Sequence, residues 1–117
     1  MTVRNQDFEI QDGDTVKITP PERGVTAADG TTKDITSYSA QVTLAEYEGG
    51  PVLIQYDETD SKFTITDGAN GQYEALFDQY DTTGLADEEV REHYYYEIEL
   101  MDGGDVHTVT TGTITVY

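Results

Sequence analysis

The chain has 117 residues, with 24 acidic side chains against six basic ones and a formal net charge of -18. This length suits one domain, residues 1–117, able to bury a core of its own, and the absence of cysteine excludes a disulfide scaffold, a thiolate metal site and a cysteine nucleophile. So few cations among so many anions also argue against binding to nucleic acid or to an anionic membrane surface.

The opening segment, MTVRNQDFEI, lacks the apolar stretch of a signal peptide, and nowhere does an apolar run approach the roughly 20 residues of a membrane span. A product made in the cytoplasm is expected. After the turn signal Asp12-Gly13, a first strand is expected from Thr15 to Thr19. Pro20 and Pro21 stop it, because proline cannot donate to a ladder. The stretch ERGVTAADGTTKD is polar and reads as a long surface loop, which would leave Val25 exposed. Tyr38, Ala40, Val42 and Leu44 then alternate with Ser39, Gln41 and Thr43, the period of a half-buried strand. Shorter runs follow at Val52 to Tyr56, Lys62 to Thr66 and Gln72 to Phe77, separated by Gly49-Gly50, Asp67-Gly68 and Asn70-Gly71. One short helical turn is expected near Ala86 to Glu92, with Asp87, Glu88 and Glu89 at its positive end. His93 to Met101 and Val106 to Val116 complete the set. Seven or eight short strands with frequent turns specify an all-β antiparallel sandwich.

The last two strands form a hairpin. A turn at Gly103-Gly104 pairs Leu100 with His107, Ile98 with Val109 and Tyr96 with Thr111, and on the other face Glu99 with Thr108 and Glu97 with Thr110. The apolar phase changes between Val109 and Ile114, so a bulge is required, and Thr111-Gly112 is the expected place.

The carboxylates form no tail: Asp12, Asp34, Glu58, Asp81 and Glu99 sample the whole sequence. Such a surface repels itself in dilute buffer. The screening length falls from about 8 Å at physiological ionic strength to about 3 Å at 1 M, so concentrated salt relieves that repulsion. A salt-loving host is inferred.

Among candidate sites, Tyr94, Tyr95 and Tyr96 are the most conspicuous. Alternation places Tyr94 and Tyr96 with Ile98 and Leu100, leaving Tyr95 outside as an interaction candidate. Tyr94, just after a corner and at the start of the penultimate strand, is the candidate for a tyrosine corner. Tyr47, Tyr80, Tyr117 and Val25 are further exposed interaction candidates. His93 and His107 fall on different strands and lack the ligand spacing of a zinc site. Asp57, Glu58 and Asp60, or Asp67, Asn70 and Glu74, could offer oxygens to calcium, but neither segment follows the EF-hand pattern. No nucleophile elbow, phosphate-cradling glycine loop or H-E-x-x-H helix occurs. No cofactor, metal or enzymatic activity is expected.

Several motifs carry a resemblance: Asp12-Gly13-Asp14-Thr15, the stretch GTTKDI from Gly30, and the run from Gly84 through Tyr96-Glu97-Ile98-Glu99-Leu100, Asp102-Gly103-Gly104, His107-Thr108-Val109 and Gly112-Thr113-Ile114-Thr115-Val116. Together they resemble small Ig-like domains of tailed-virus structural proteins, similar to the N-terminal domain of siphovirus upper baseplate proteins. The resemblance implies an Ig-like sandwich acting as a non-enzymatic virion component, in capsid decoration, neck or baseplate, and with the salt-loving host inferred from the charge the virus would be one of haloarchaea. Its partners would be other virion proteins, with self-association. The alternative is a host-surface or carbohydrate-binding Ig-like module.

Overall fold

The computed structural model describes residues 1–86 and 92–117. Among the described residues nine strands form two facing sheets: β1 (Arg4–Asn5), β2 (Phe8–Ile10), β3 (Val16–Ile18), β4 (Ser39–Ala45), β5 (Val52–Asp57), β6 (Phe63–Asp67), β7 (Gln72–Phe77), β8 (Glu92–Asp102) and β9 (Asp105–Val116). The larger sheet runs β1-β9-β8-β4-β5, with β2 also on β9, and the smaller runs β3-β7-β6. In an Ig domain the corresponding orders are G-F-C-C′ and B-E-D, so the all-β sandwich is Ig-like in connectivity. Strands of eleven and twelve residues, β8 and β9, account for an elongated body of 45 × 26 × 24 Å.

Alternation builds the core. Val42, Leu44, Tyr96, Ile98 and Leu100 project from the larger sheet onto Val16, Ile18, Tyr73, Ala75 and Phe77 of the smaller, all fully or nearly fully buried. Aromatic contacts bridge the layers: Phe77 meets Tyr96 edge-on at 6.4 Å, and Phe63 stacks on Tyr73 at 5.7 Å. Buried tyrosines need partners for their hydroxyls. Tyr56 donates to Leu76 O, Tyr96 donates to Gln6 O at 2.6 Å, and Tyr73 shares a hydrogen bond with Thr110 Oγ1. Tyr94, at the start of β8, donates to Leu85 O at 2.6 Å.

Four features depart from the sequence reading. Strands β1 and β2 lie in the segment first read only for the absence of a signal peptide, and both run parallel to β9. Gln6 joins them, its N–H on Thr111 O at 2.9 Å, while the Asp7 side chain accepts from Thr113 N–H. The hairpin pairs Glu99 with Thr108 and Leu100 with His107, but the bulge falls at Val109, earlier than Thr111-Gly112. Ile98 therefore faces Thr110, Glu97 faces Thr111 and Tyr96 faces Gly112. The early bulge turns Val109 and Thr110 inward together, Val109 into the core and Thr110 onto the Tyr73 hydroxyl.

Val25 is buried, at 5% exposure, which removes it as a surface candidate. Its loop folds back on the smaller sheet: Val25 N–H donates to Gly71 O at 2.9 Å, and Val25 O accepts from Lys33 N–H at 2.8 Å. Of the turn expected over Ala86 to Glu92, residues 87–91 lie outside the described residues, and Glu92 opens β8. A helical turn, α1 (Gln79–Thr82), occurs earlier. Asp78 caps it by accepting from Tyr80 and Asp81 N–H, and the Asp81 side chain returns the bond to Asp78 N–H, a reciprocal capping box.

Candidate docking surface

Strand directions bring four of the tyrosines to one end of the long axis. Ala45 at the end of β4 pairs with Tyr95 near the start of β8, Glu92 pairs with Val116, and Val16 pairs with Phe77. The connections leaving that end carry Tyr47 after β4, Tyr80 on α1 after β7, and Tyr117 after β9. Tyr47 and Tyr80 are exposed at 61% and 82%, and Tyr117 is also exposed, with its backbone tied to Ile10 and Asp12. Three segments distant in sequence thus display aromatic rings at one pole.

The β4–β5 hairpin forms the best-defined part of this pole. Glu46 N–H donates to Pro51 O and Gly50 N–H to Tyr47 O, closing a tight turn. A Cβ on Gly50 would stand 2.6 Å from Tyr47 Cε2, so the ring lies directly over that backbone. Register then shifts between Leu44 and Ala45, with Ala45 opposite Val52 and Leu44 opposite Ile54. Leu53 is the extra residue. Val52 and Leu53 therefore both face solvent, at 55% and 42% exposure, where strict alternation would have buried one of them.

Behind the hairpin, the outer face of the larger sheet holds a shallow open depression of about 270 Å³, lined among others by Val52, Gln55, Thr43, Tyr95, Glu97 and Glu99. Ligand pockets for small molecules usually measure about 300–1,000 Å³ and enclose their ligand; this open depression suits one protruding side chain. The Tyr95 hydroxyl reaches Glu97 Oε2 at 3.3 Å. Burial, reinforced by the charge of Glu97, the bond to it and the charges of Glu48 and Glu99, pushes that hydroxyl up to about 12. Burial, a hydrogen bond with Glu97 and the Glu97 charge likewise raise the Glu99 carboxyl above the usual carboxylate range. At both groups burial first, and the neighbouring glutamates second, oppose proton loss.

Sequence reasoning singled out Tyr47 and Tyr95, which share this corner, and Tyr80 and Tyr117, which share the pole but do not line the depression. It did not single out Val52, Leu53 or the neighbouring Glu97 and Glu99. The signals were three consecutive apolar residues, Val52 to Ile54, directly after a Gly-Gly-Pro turn, and two glutamates on the same outward face of β8.

The remaining candidates have local roles. His93 Nδ1 lies 2.9 Å from Thr115 Oγ1, and His107 borders a separate open hollow with Lys33, Asp102 and Asp105 at the other end. Asp57 accepts from Thr59, Asp60 from Lys62 N–H, and Asp67 from Asn70 Nδ2. Among the described residues, no three His, Cys, Asp or Glu side chains converge as a metal site. No protein-family model matches the chain, and no curated protein matches it significantly.

Proposed function

We propose that this chain is a non-catalytic assembly protein, a structural component of a tailed virus that infects a halophilic archaeon, and that it docks on neighbouring virion proteins through its tyrosine-bearing pole. The observation that carries the reading is the convergence of exposed Tyr47, Tyr80, Val52 and Leu53 on one end of a body that is acidic throughout. Tyrosine buries much area at little entropic cost, which makes it an effective contact residue. Acidic side chains from the whole sequence hydrate the rest of the surface in brine. The virion assignment is supported by the Ig-like sandwich together with the strand, turn and strand motifs of the resemblance.

The test is whether the protein sediments with gradient-purified virus particles, and at what copy number. Hundreds of copies per particle indicate capsid decoration, and tens or fewer indicate neck or baseplate. A Tyr47→Ser, Tyr80→Ser double variant should fold yet fail to enter particles. Absence of the wild-type chain from washed particles refutes the reading. Glycan-array binding lost in Tyr95→Ala would instead assign the carbohydrate-binding role.

A further inference from the structure

The β4–β5 corner combines features that together specify a partner's chemistry. Its ridge is apolar: Tyr47, Val52 and Leu53 stand out from a rigid hairpin. The adjoining depression has an aromatic wall, Tyr95, and carboxylates from Glu97 and Glu99, with Glu48 close enough to act on the Tyr95 hydroxyl. The ion pairs of the described residues, Lys17 with Glu74 and Lys62 with Asp78 and Asp81, lie elsewhere. Moreover, the bulge at Leu53 interrupts the free edge of β5 at this end, which disfavours addition of a partner strand and leaves contact to side chains.

We propose that this corner receives an arginine side chain from a partner protein, seated against Tyr95 between Glu97 and Glu99, while apolar partner residues cover Val52 and Leu53. The proposal rests on the assembly reading above and names the chemistry of the partner. Arginine is preferred to lysine because a planar guanidinium can stack on a tyrosine face and bond carboxylates with several donors at once. A second copy of this chain is disfavoured. Apposing two such corners would set their glutamates against each other, and each copy already carries a charge of -18.

The probe is the peptide Ac-Gly-Leu-Arg-Leu-Arg-Gly-NH2, titrated into ¹⁵N-labelled protein at the lowest salt that preserves the native circular dichroism spectrum. Controls replace both arginines by lysine or by glutamate. The expected result is a saturable set of amide shifts centred on Val52, Tyr95, Glu97 and Glu99, several-fold weaker with lysine and absent with glutamate. E97Q with E99Q should weaken binding roughly tenfold, as expected for losing rim charges that each contribute up to about a factor of five. These side chains lie on the outer sheet face, so the variants should keep the wild-type spectrum.

Shifts spread evenly over the acidic surface, or equal binding of the arginine and glutamate peptides, would overturn the proposal. So would a dimer by analytical ultracentrifugation that dissociates in a Val52→Ser, Leu53→Ser variant, because a second copy would then be the occupant. If the chain is missing from particles yet binds the arginine peptide at this corner, the virion reading falls and the partner chemistry stands. If it is present in particles and the peptide does not localise, the reverse holds.

Discussion

Replacing Gly112 by alanine would place a methyl group 1.9 Å from Gln6 O and 2.7 Å from Gln6 C. Gly112 does not have a positive φ, so an alanine there suffers no intrinsic backbone strain and the whole effect comes from collision. To restore an ordinary 3.4 Å contact, the β1–β2 junction must retreat by about 1.5 Å. Three hydrogen bonds cross that seam: Gln6 N–H to Thr111 O at 2.9 Å, Tyr96 hydroxyl to Gln6 O at 2.6 Å, and Thr113 N–H to Asp7 Oδ1 at 2.9 Å. At about 1 kcal/mol net for each bond, and somewhat more for the buried Tyr96 hydroxyl left unpaired, the loss is about 3–4 kcal/mol. For a domain of this size that corresponds to a melting temperature lower by roughly 12–16 °C. Urea unfolding at fixed salt measures the free energy, and hydrogen exchange should show lost protection at Gln6, Phe8 and Ile10. Gly30→Ala is the comparison, since Gly30 has φ +87° but open space around it and should lose only about 1–2 kcal/mol of backbone strain. A Gly112→Ala protein no less stable than Gly30→Ala would refute the claim that close approach at Gln6 holds β1 and β2 to the sheet.

Three further outcomes follow from the same structure. Thr36 donates to Asp34 through both N–H and Oγ1, at 2.9 and 2.6 Å, and these bonds hold the Asp34 carboxyl below its ordinary value; Thr36→Val should raise it toward that value in an NMR titration, and an unchanged midpoint would contradict the assignment. Asp29 and Asp57 are lowered in the same way by Thr31 and Thr59, and Asp12 by the backbone N–H groups of Gly84 and Ala86, so their contribution to stability is complete above about pH 4, the ordinary aspartate value, and is lost as pH falls through the depressed folded values. For Lys62, burial opposes the charge, yet the bond to Asp81 and the charges of Asp81, Asp78 and Asp60 outweigh it and raise its pKa; Lys62→Met should cost roughly 2 kcal/mol in chemical denaturation, and a neutral effect would show the pair to be idle. Transfer from about 2 M salt to dilute buffer, where the screening length grows beyond about 10 Å, should unfold the chain reversibly by circular dichroism, and an unchanged spectrum would sink the halophilic assignment.

Periodicity was informative wherever one face of a strand is buried. Gln72 to Phe77 was recovered end for end, and the alternation from Tyr38 to Leu44 marked β4, because Ala40, Val42 and Leu44 bury while Ser39, Gln41 and Thr43 do not. The parity change between Val109 and Ile114 made a bulge necessary. Its position brings Thr110 to the hydrogen bond it shares with the Tyr73 hydroxyl, and nothing local to β9 reveals that partner. Val25 was misread for the same reason: it sits in a polar loop, and its burial is produced by bonds to Gly71 and Lys33 across the fold. The two-residue β1 and three-residue β2 are too short to carry a period, although Phe8 and Ile10 alternate correctly. The cap of α1 was legible as an Asp-x-x-Asp pattern, a variant of the capping box with Asp in place of the usual Glu. In the candidate docking surface, Tyr95 followed from alternation on β8, whereas Val52 and Leu53 emerge only through a bulge that breaks alternation.

Most aspartates and glutamates also differ in role in a way that bulk charge conceals, Glu58, which accepts Ala40 N–H at 3.2 Å, being an exception. Asp7, Asp12, Asp14, Asp29, Asp34, Asp57, Asp60, Asp78 and Asp81 each accept a backbone N–H, most of them in turns or at the cap of α1. A short side chain suits this task, since its carboxylate sits within reach of the N–H two or three residues on. Most of these bonds are local, those of Asp7 with Thr113 and Asp12 with Gly84 span the fold, and all are direct, so added salt does little to weaken them, and protonation removes them. Glutamates such as Glu46, Glu48, Glu97 and Glu99 instead gather around the β4–β5 corner, where their long-range repulsion is what salt screens. Acid and low salt should therefore attack different parts of the molecule: acid the turns, low salt the glutamate-rich sheet face. The latter is also the face on which a cationic partner would relieve the most repulsion, so partner binding and concentrated salt should stabilise the same corner by the same electrostatic route.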